Sequence, residues 1–128
     1  SSSITVIEES TFDGCSSLIK IELPSTLKKI GSYCFNLCSS LIEIIIPSSV
    51  IEIEKSAFSD CSSLKKIEIS NSLKEIKDNL FYNCTALIDI KIPSSVLKIE
   101  KNAFNQCSSL KQIFIPNSVV NIGMNFFC

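Results

Sequence analysis

The same residue types recur every 23 positions along the whole 128-residue chain. Cys15, Cys38, Cys61, Cys84 and Cys107 form one column, and Phe12, Phe35, Phe58, Phe81, Phe104 and Phe127 another. Leu18, Leu41, Leu64, Leu87 and Leu110 repeat at the same interval, as do Ile21, Ile44, Ile67, Ile90 and Ile113. Two more columns run from Ile7 to Ile122 and from Leu23 to Ile115, with no insertion or deletion breaking the register. Pro24, Pro47, Pro93 and Pro116 follow the last of these, with Ser70 as the single exception. The chain is therefore about five and a half copies of one short unit. One such unit cannot bury its own apolar face, whereas stacked units cover one another, so a solenoid is expected.

The second full unit shows how a rung should run. In residues 41–46 the inward positions are Leu41, Ile44 and Ile46, the last two alternating as in a strand with one buried face. β-Branched residues favour such a strand, and Pro47 ends it because it has no N–H for the ladder. Ser48 and Ser49 are turn chemistry. Residues 50–53 read as a second short extended segment. Residues 55–58 read as a single helical or 3-10 turn that buries Ala57 and Phe58. With rungs ~4.8 Å apart, the stack should be on the order of 26 Å long. The expected fold is a β-rich solenoid with one parallel sheet, a second set of short strands and single helical turns.

These residues carry a family resemblance. The unit Leu41-x-x-Ile44-x-Ile46-Pro47-Ser48-Ser49-Val50-x-x-Ile53-x-x-x-Ala57-Phe58-x-x-Cys61 resembles the 23-residue BspA-like leucine-rich repeat. Its consensus is close to LxxLxLPxSLxxIgxxAFxxCxx, and the match covers essentially the whole chain. Gly31 and Gly123 keep the family glycine, while Glu54, Lys77 and Glu100 replace it. Cys34, Leu80 and Phe126 occupy the small-residue position. The resemblance implies a right-handed leucine-rich-repeat coil and a cell-surface or secreted module for adhesion or protein recognition. The partner would then be a protein, of host or matrix origin.

Composition narrows the chemistry. Twelve basic residues, all Lys, stand against thirteen acidic ones, for a net charge of −1. Nucleic acid and anionic membrane, which both need a basic surplus, are disfavoured as partners. No apolar run approaches the ~20 residues of a membrane span. The chain has no His, so the commonest general base and metal ligand are both missing. With three Gly there is no phosphate-cradling loop, and paired carboxylates such as Glu8-Glu9 sit in surface columns. No catalytic residue, cofactor or metal site is assigned, and the chain is not expected to be an enzyme.

The five-Cys column reads as small buried hydrophobes filling a tight turn. Its members run parallel one rung apart, whereas a disulfide needs Cβ atoms ~3.8 Å apart and directed at each other. No C-x-x-C or His supports a metal. Cys128 falls in the column of Asp13, Asn36, Ser59, Tyr82 and Asn105 and is expected to be exposed. The Asn83-Cys84-Thr85 sequon reads as incidental, Thr85 replacing the usual Ser of the repeated turn.

Two surfaces emerge as binding candidates. On the first strand, one outward column reads Lys20, Glu43, Lys66, Asp89 and Gln112, its signs alternating, and the next reads Glu22, Ile45, Glu68, Lys91 and Phe114. Ile19, Ile42 and Ile88 flank them. Exposed apolar residues among charges can form a contact face. Stacked opposite charges, here and in Glu54, Lys77, Glu100 and Lys55, Asp78, Lys101, also read as balancing between rungs. The second candidate is the uncapped ends, with Ile4, Ile7 and Phe12 in the first rung and Ile122, Phe126 and Phe127 in the last. Homodimerisation through solenoid ends or edges is expected from them. The chain reads as a single repeat domain over residues 1–128. It begins Ser1-Ser2-Ser3, with neither an initiator Met nor a leader-like segment, and so reads as part of a longer product. An intracellular scaffold that self-assembles through its ends, cytoplasmic in location, is the alternative; the free cysteines lean that way.

Overall fold

The computed structural model describes residues 3–127. Nine short strands follow in chain order: β1 (Val6–Ile7), β2 (Lys29–Ile30), β3 (Glu43–Ile45), β4 (Glu52–Ile53), β5 (Lys66–Glu68), β6 (Glu75–Ile76), β7 (Asp89–Ile90), β8 (Lys98–Ile99) and β9 (Asn121–Ile122). Every strand pairing is parallel and offset by 23 residues, as in Val6 with Lys29 and Ile44 with Ile67. The repeat in sequence is thus the rung in space. β3 and β5 each bury the central isoleucine and expose the residue on either side, as the alternation predicts.

The strands lie on two sides of the coil. On the first, β3, β5 and β7 form one sheet. The strands expected at residues 20–23 and 112–115 are not formed. Those segments belong to end rungs with a neighbour on one side only, so half of each ladder is missing. A shallow groove of about 380 Å³ opens there between Ile21–Leu23 and Ile44–Ile45. On the second side, β1, β2 and β4 pair, as do β6, β8 and β9, but β4 and β6 do not. The expected extended segment 50–53 shortens to β4, because the Val50 N–H closes a turn onto the Pro47 carbonyl (3.0 Å).

Among the described residues the expected helical turns are absent, and the third side is a ladder of turns. In the central rung the Ser56, Phe58 and Asp60 amides donate to the next rung, at Asp78 O (3.0 Å), Leu80 O (3.1 Å) and Tyr82 O (2.8 Å). A helical turn would have spent such amides within its own rung. Their outward direction requires two left-handed residues per rung, Ser56 and Asp60 (φ 59° each). The same two columns hold Ser10 and Gly14, Tyr33 and Leu37, Asn79 and Asn83, and Asn102 and Gln106.

Inside, Phe12, Phe35, Phe58, Phe81 and Phe104 stack nearly parallel, with centroids 5.2–5.8 Å apart and planes 6–16° apart. Phe127 keeps the register, its backbone bridging that of Phe104, and its ring packs tilted on Phe126 (6.2 Å, 42°). Beside the rings, four cysteine S–H groups donate to a carbonyl one rung back. Cys38 reaches Phe12 O (3.2 Å), and Cys61, Cys84 and Cys107 reach Phe35, Phe58 and Phe81 O (3.1 Å each). The turn hydroxyls do likewise: Thr26, Ser95 and Ser118 donate to Ile4, Leu73 and Val96 O, each at 2.7 Å. Ser70, in the proline column, donates to Val50 O (2.7 Å) and accepts the Ser72 N–H (3.1 Å).

Candidate recognition surface

Every residue of the two outward columns on the first side is exposed: Lys20, Glu43, Lys66, Asp89 and Gln112, and Glu22, Ile45, Glu68, Lys91 and Phe114. β3, β5 and β7 bring Glu43 opposite Lys66, Lys66 opposite Asp89, and Ile45 opposite Glu68. Lys20, Glu22, Gln112 and Phe114 extend the columns outside regular strand. Ile45 is 63% exposed and Phe114 80%, and Ile19, Ile42 and Ile88 are also exposed. The first side therefore offers apolar side chains set among charges.

Those charges form no ion pair among the described residues, although the register places opposite signs together. The expected balancing salt bridges are not made in this column. Fully solvated neighbours gain almost nothing by closing on each other. The Lys55, Asp78, Lys101 column makes none either. The second side behaves differently. Lys77 Nζ lies 3.0 Å from both Glu52 and Glu54, Lys29 Nζ lies 3.2 Å from Glu54 and 3.9 Å from Glu52, and Lys98 pairs with Glu100 at 3.1 Å. Of the expected run Glu54, Lys77, Glu100, the first contact forms, while Glu100 turns to Lys98 instead. Lys29 and Lys98 were not singled out from sequence. Their column lies two residues from that of Glu54, so reading the charges across rungs as well as down them would have found the network.

Burial alone would raise the Glu54 carboxyl, but the hydrogen bonds from Lys77 and Lys29 outweigh it and hold the group below the usual carboxylate range. Lys77 is the mirror case. Desolvation would lower it, and its bonds to Glu52 and Glu54 raise it above an ordinary lysine. The network spans the one rung boundary at which the second sheet is interrupted, between β4 and β6.

Both end rungs expose apolar side chains. Ile4 is 54% exposed, Ile7 and Phe12 are half-buried, and an apolar groove of about 410 Å³ runs beside them to Ile21 and Leu23. In the last rung Ile122 is 46% exposed, and Phe126 and Phe127 are half-buried. Val120 and Met124, also strongly exposed there, had not been singled out.

The cysteines are free among the described residues; Cys34, Cys38, Cys61, Cys84 and Cys107 are buried and Cys15 is half-buried. Desolvation pushes the Cys34 thiol up to about 12 and Cys38 and Cys107 to about 11, and also raises Cys61 and Cys84 well above the ordinary thiol range. Such thiols are poor nucleophiles and poor metal ligands. Cys128 lies outside the described residues. No group of three or more metal-ligating side chains occurs among the described residues, and none of their segments is a helix able to cross a membrane.

Residues 5–128 match the BspA type leucine rich repeat region, in six copies. No curated protein matches the sequence. Among solved structures, the chain resembles a leucine-rich repeat protein from Bacteroides ovatus at 36% identity and a TM-score of 0.91, covering 94% of this chain and 31% of that one. It resembles a leucine rich cell surface protein from Faecalibacterium prausnitzii at 30% identity and a TM-score of 0.75, covering 81% and 31%. It also resembles a T. pallidum leucine rich repeat protein at 27% identity and a TM-score of 0.78, covering 94% and 67%. The chain spans about a third of the length of the first two.

Proposed function

We propose, for a chain that belongs to the BspA-type leucine-rich repeat family, that it is a protein-recognition module acting at the cell surface, with the first side of the coil as its binding face. The repeats of this family are typically non-catalytic, and its bacterial members are often cell-surface proteins. One contrast carries the choice of face. The second side ties Lys29, Glu52, Glu54, Lys77, Lys98 and Glu100 into ion pairs, whereas the first leaves its charges unpaired around Ile45 and Phe114. Unpaired charges with exposed aromatic and aliphatic anchors are what a partner can use, since charge steers the encounter and apolar anchors supply the affinity. The surface location is supported by the similarity to the F. prausnitzii cell surface protein.

The test is a binding assay against purified extracellular-matrix proteins. Ile45→Asp with Phe114→Asp should weaken binding at least about tenfold, the loss of a hot-spot contact. Ile51→Asp with Leu97→Asp, on exposed positions of the second side, should leave it unchanged. Equal effects from both pairs would refute the assignment of the face.

A further inference from the structure

We infer that the first side of the coil recognises a second copy of the same chain, face to face, about a two-fold axis parallel to the length of the solenoid; this rests on the reading of that side as the recognition face. The pattern within each rung carries it. Lys20 accompanies Glu22, Lys66 accompanies Glu68, and Asp89 accompanies Lys91, so wherever both outward residues of a rung are charged, their signs are opposite. The two remaining rungs carry Glu43 with Ile45 and Gln112 with Phe114. All ten side chains are exposed, and none is in an ion pair.

A two-fold axis along the coil keeps each rung opposite its own mate and reverses the strand direction. The first outward residue of a rung then meets the second outward residue of the same rung in the other copy. Lys20 meets Glu22, Lys66 meets Glu68 and Asp89 meets Lys91, each pair made twice, and no like charges meet in any rung. Glu43 meets Ile45 and Gln112 meets Phe114. An isologous contact requires a self-complementary patch of this kind. Five rungs of ~4.8 Å and about five residues of ~3.3 Å give roughly 400 Å² per copy. That is below a standard interface, so the association is weak and concentration-dependent.

Sedimentation equilibrium of the full chain at low salt tests it. The mass should rise from 14.1 kDa toward twice that value with concentration. Lys66→Glu alone, or Glu68→Lys alone, creates two like-charge contacts and should weaken self-association at least about tenfold. Mixing the two single variants, or joining both changes in one chain, restores every pair and should restore the dimer. A wild-type chain that stays at monomer mass up to ~1 mM overturns the inference. So does a dimer indifferent to the single changes, since its contact then lies elsewhere, or one that the double change fails to restore, since the axis is then different. If the chain is monomeric while Ile45→Asp with Phe114→Asp still weakens matrix binding, the recognition face stands and only its occupant is wrong.

Discussion

Leu37 holds a φ of 60° with its side chain 51% exposed. A leucine in the left-handed region costs roughly 1–2 kcal/mol, and little burial offsets it here. Asn83 and Gly14 hold the same column at the same kind of φ without that cost. Leu37→Asn should therefore stabilise the protein by about 0.5–1 kcal/mol, read as a higher urea midpoint with an unchanged slope. A lower midpoint would mean that the leucine contributes packing not apparent from its exposure. The cysteines differ by rung. Cys15 has no rung before it and is half-buried, whereas Cys61 and Cys84 are fully covered with strongly raised thiols. Alkylation of native protein followed by mass spectrometry should label Cys15 ahead of Cys34, Cys38, Cys61, Cys84 and Cys107; uniform rates across the six would contradict the ladder. The phenylalanine, isoleucine and cysteine columns are legible from sequence because a strict 23-residue period leaves their inward placement no alternative. The left-handed columns are not, because Tyr33, Leu37 and Gln106 bear no turn signature. Gly14, the asparagines, Asp60, Ser10 and Ser56 only hinted at them.

At the scale of elements, the second side is held by main-chain ladders everywhere except between β4 and β6, and there side chains bridge the interruption. Lys77 reaches Glu52 and Glu54, and the turn ladder passes from Ser56 and Phe58 to the next rung beside it. The two shifted groups set the pH behaviour of this joint. Glu54 is more acidic folded than unfolded, so its contribution is present above the ordinary carboxylate range and is lost as pH falls through the lower folded value. Lys77 is more basic folded, so its contribution is full below the ordinary lysine range and is lost as pH rises through the higher folded value. The joint should be firmest between these limits, with a total effect of about 0.5–1 kcal/mol after allowing for solvent screening. Urea midpoints measured down to pH 3 should fall less steeply in Glu54→Gln than in wild type; parallel curves would remove Glu54 from the account. Sequence alone could not place the interruption. The repeat there keeps its length and its apolar columns, and Ser70 is the single break in the proline column. Nor could it show that turns replace a helix, because residues 55–58 are compatible with both; the outcome depends on where the neighbouring rung puts its carbonyls.

Over the whole molecule, stability should vary with position along the stack, because each rung touches only its neighbours. Phe58 is fully buried between Phe35 (5.2 Å) and Phe81 (5.8 Å), the longer spacing falling at the same rung boundary as the interrupted second sheet. Phe12 stacks on Phe35 alone and is half-buried. Removing the central ring leaves a cavity that rigid stacked rungs cannot close, and should cost about 3–5 kcal/mol. Removing Phe12 uncovers a surface that is already part open, and should cost less than half as much. Hydrogen exchange separates the two cases further. Phe58→Ala should weaken amide protection on both sides of the gap, from Phe35 to Phe81, while Phe12→Ala should affect the first rung and spare β5 and β7. If both variants lost protection over the entire chain to the same degree, the stack would be unfolding as one unit, and nearest-neighbour coupling between rungs would not describe it.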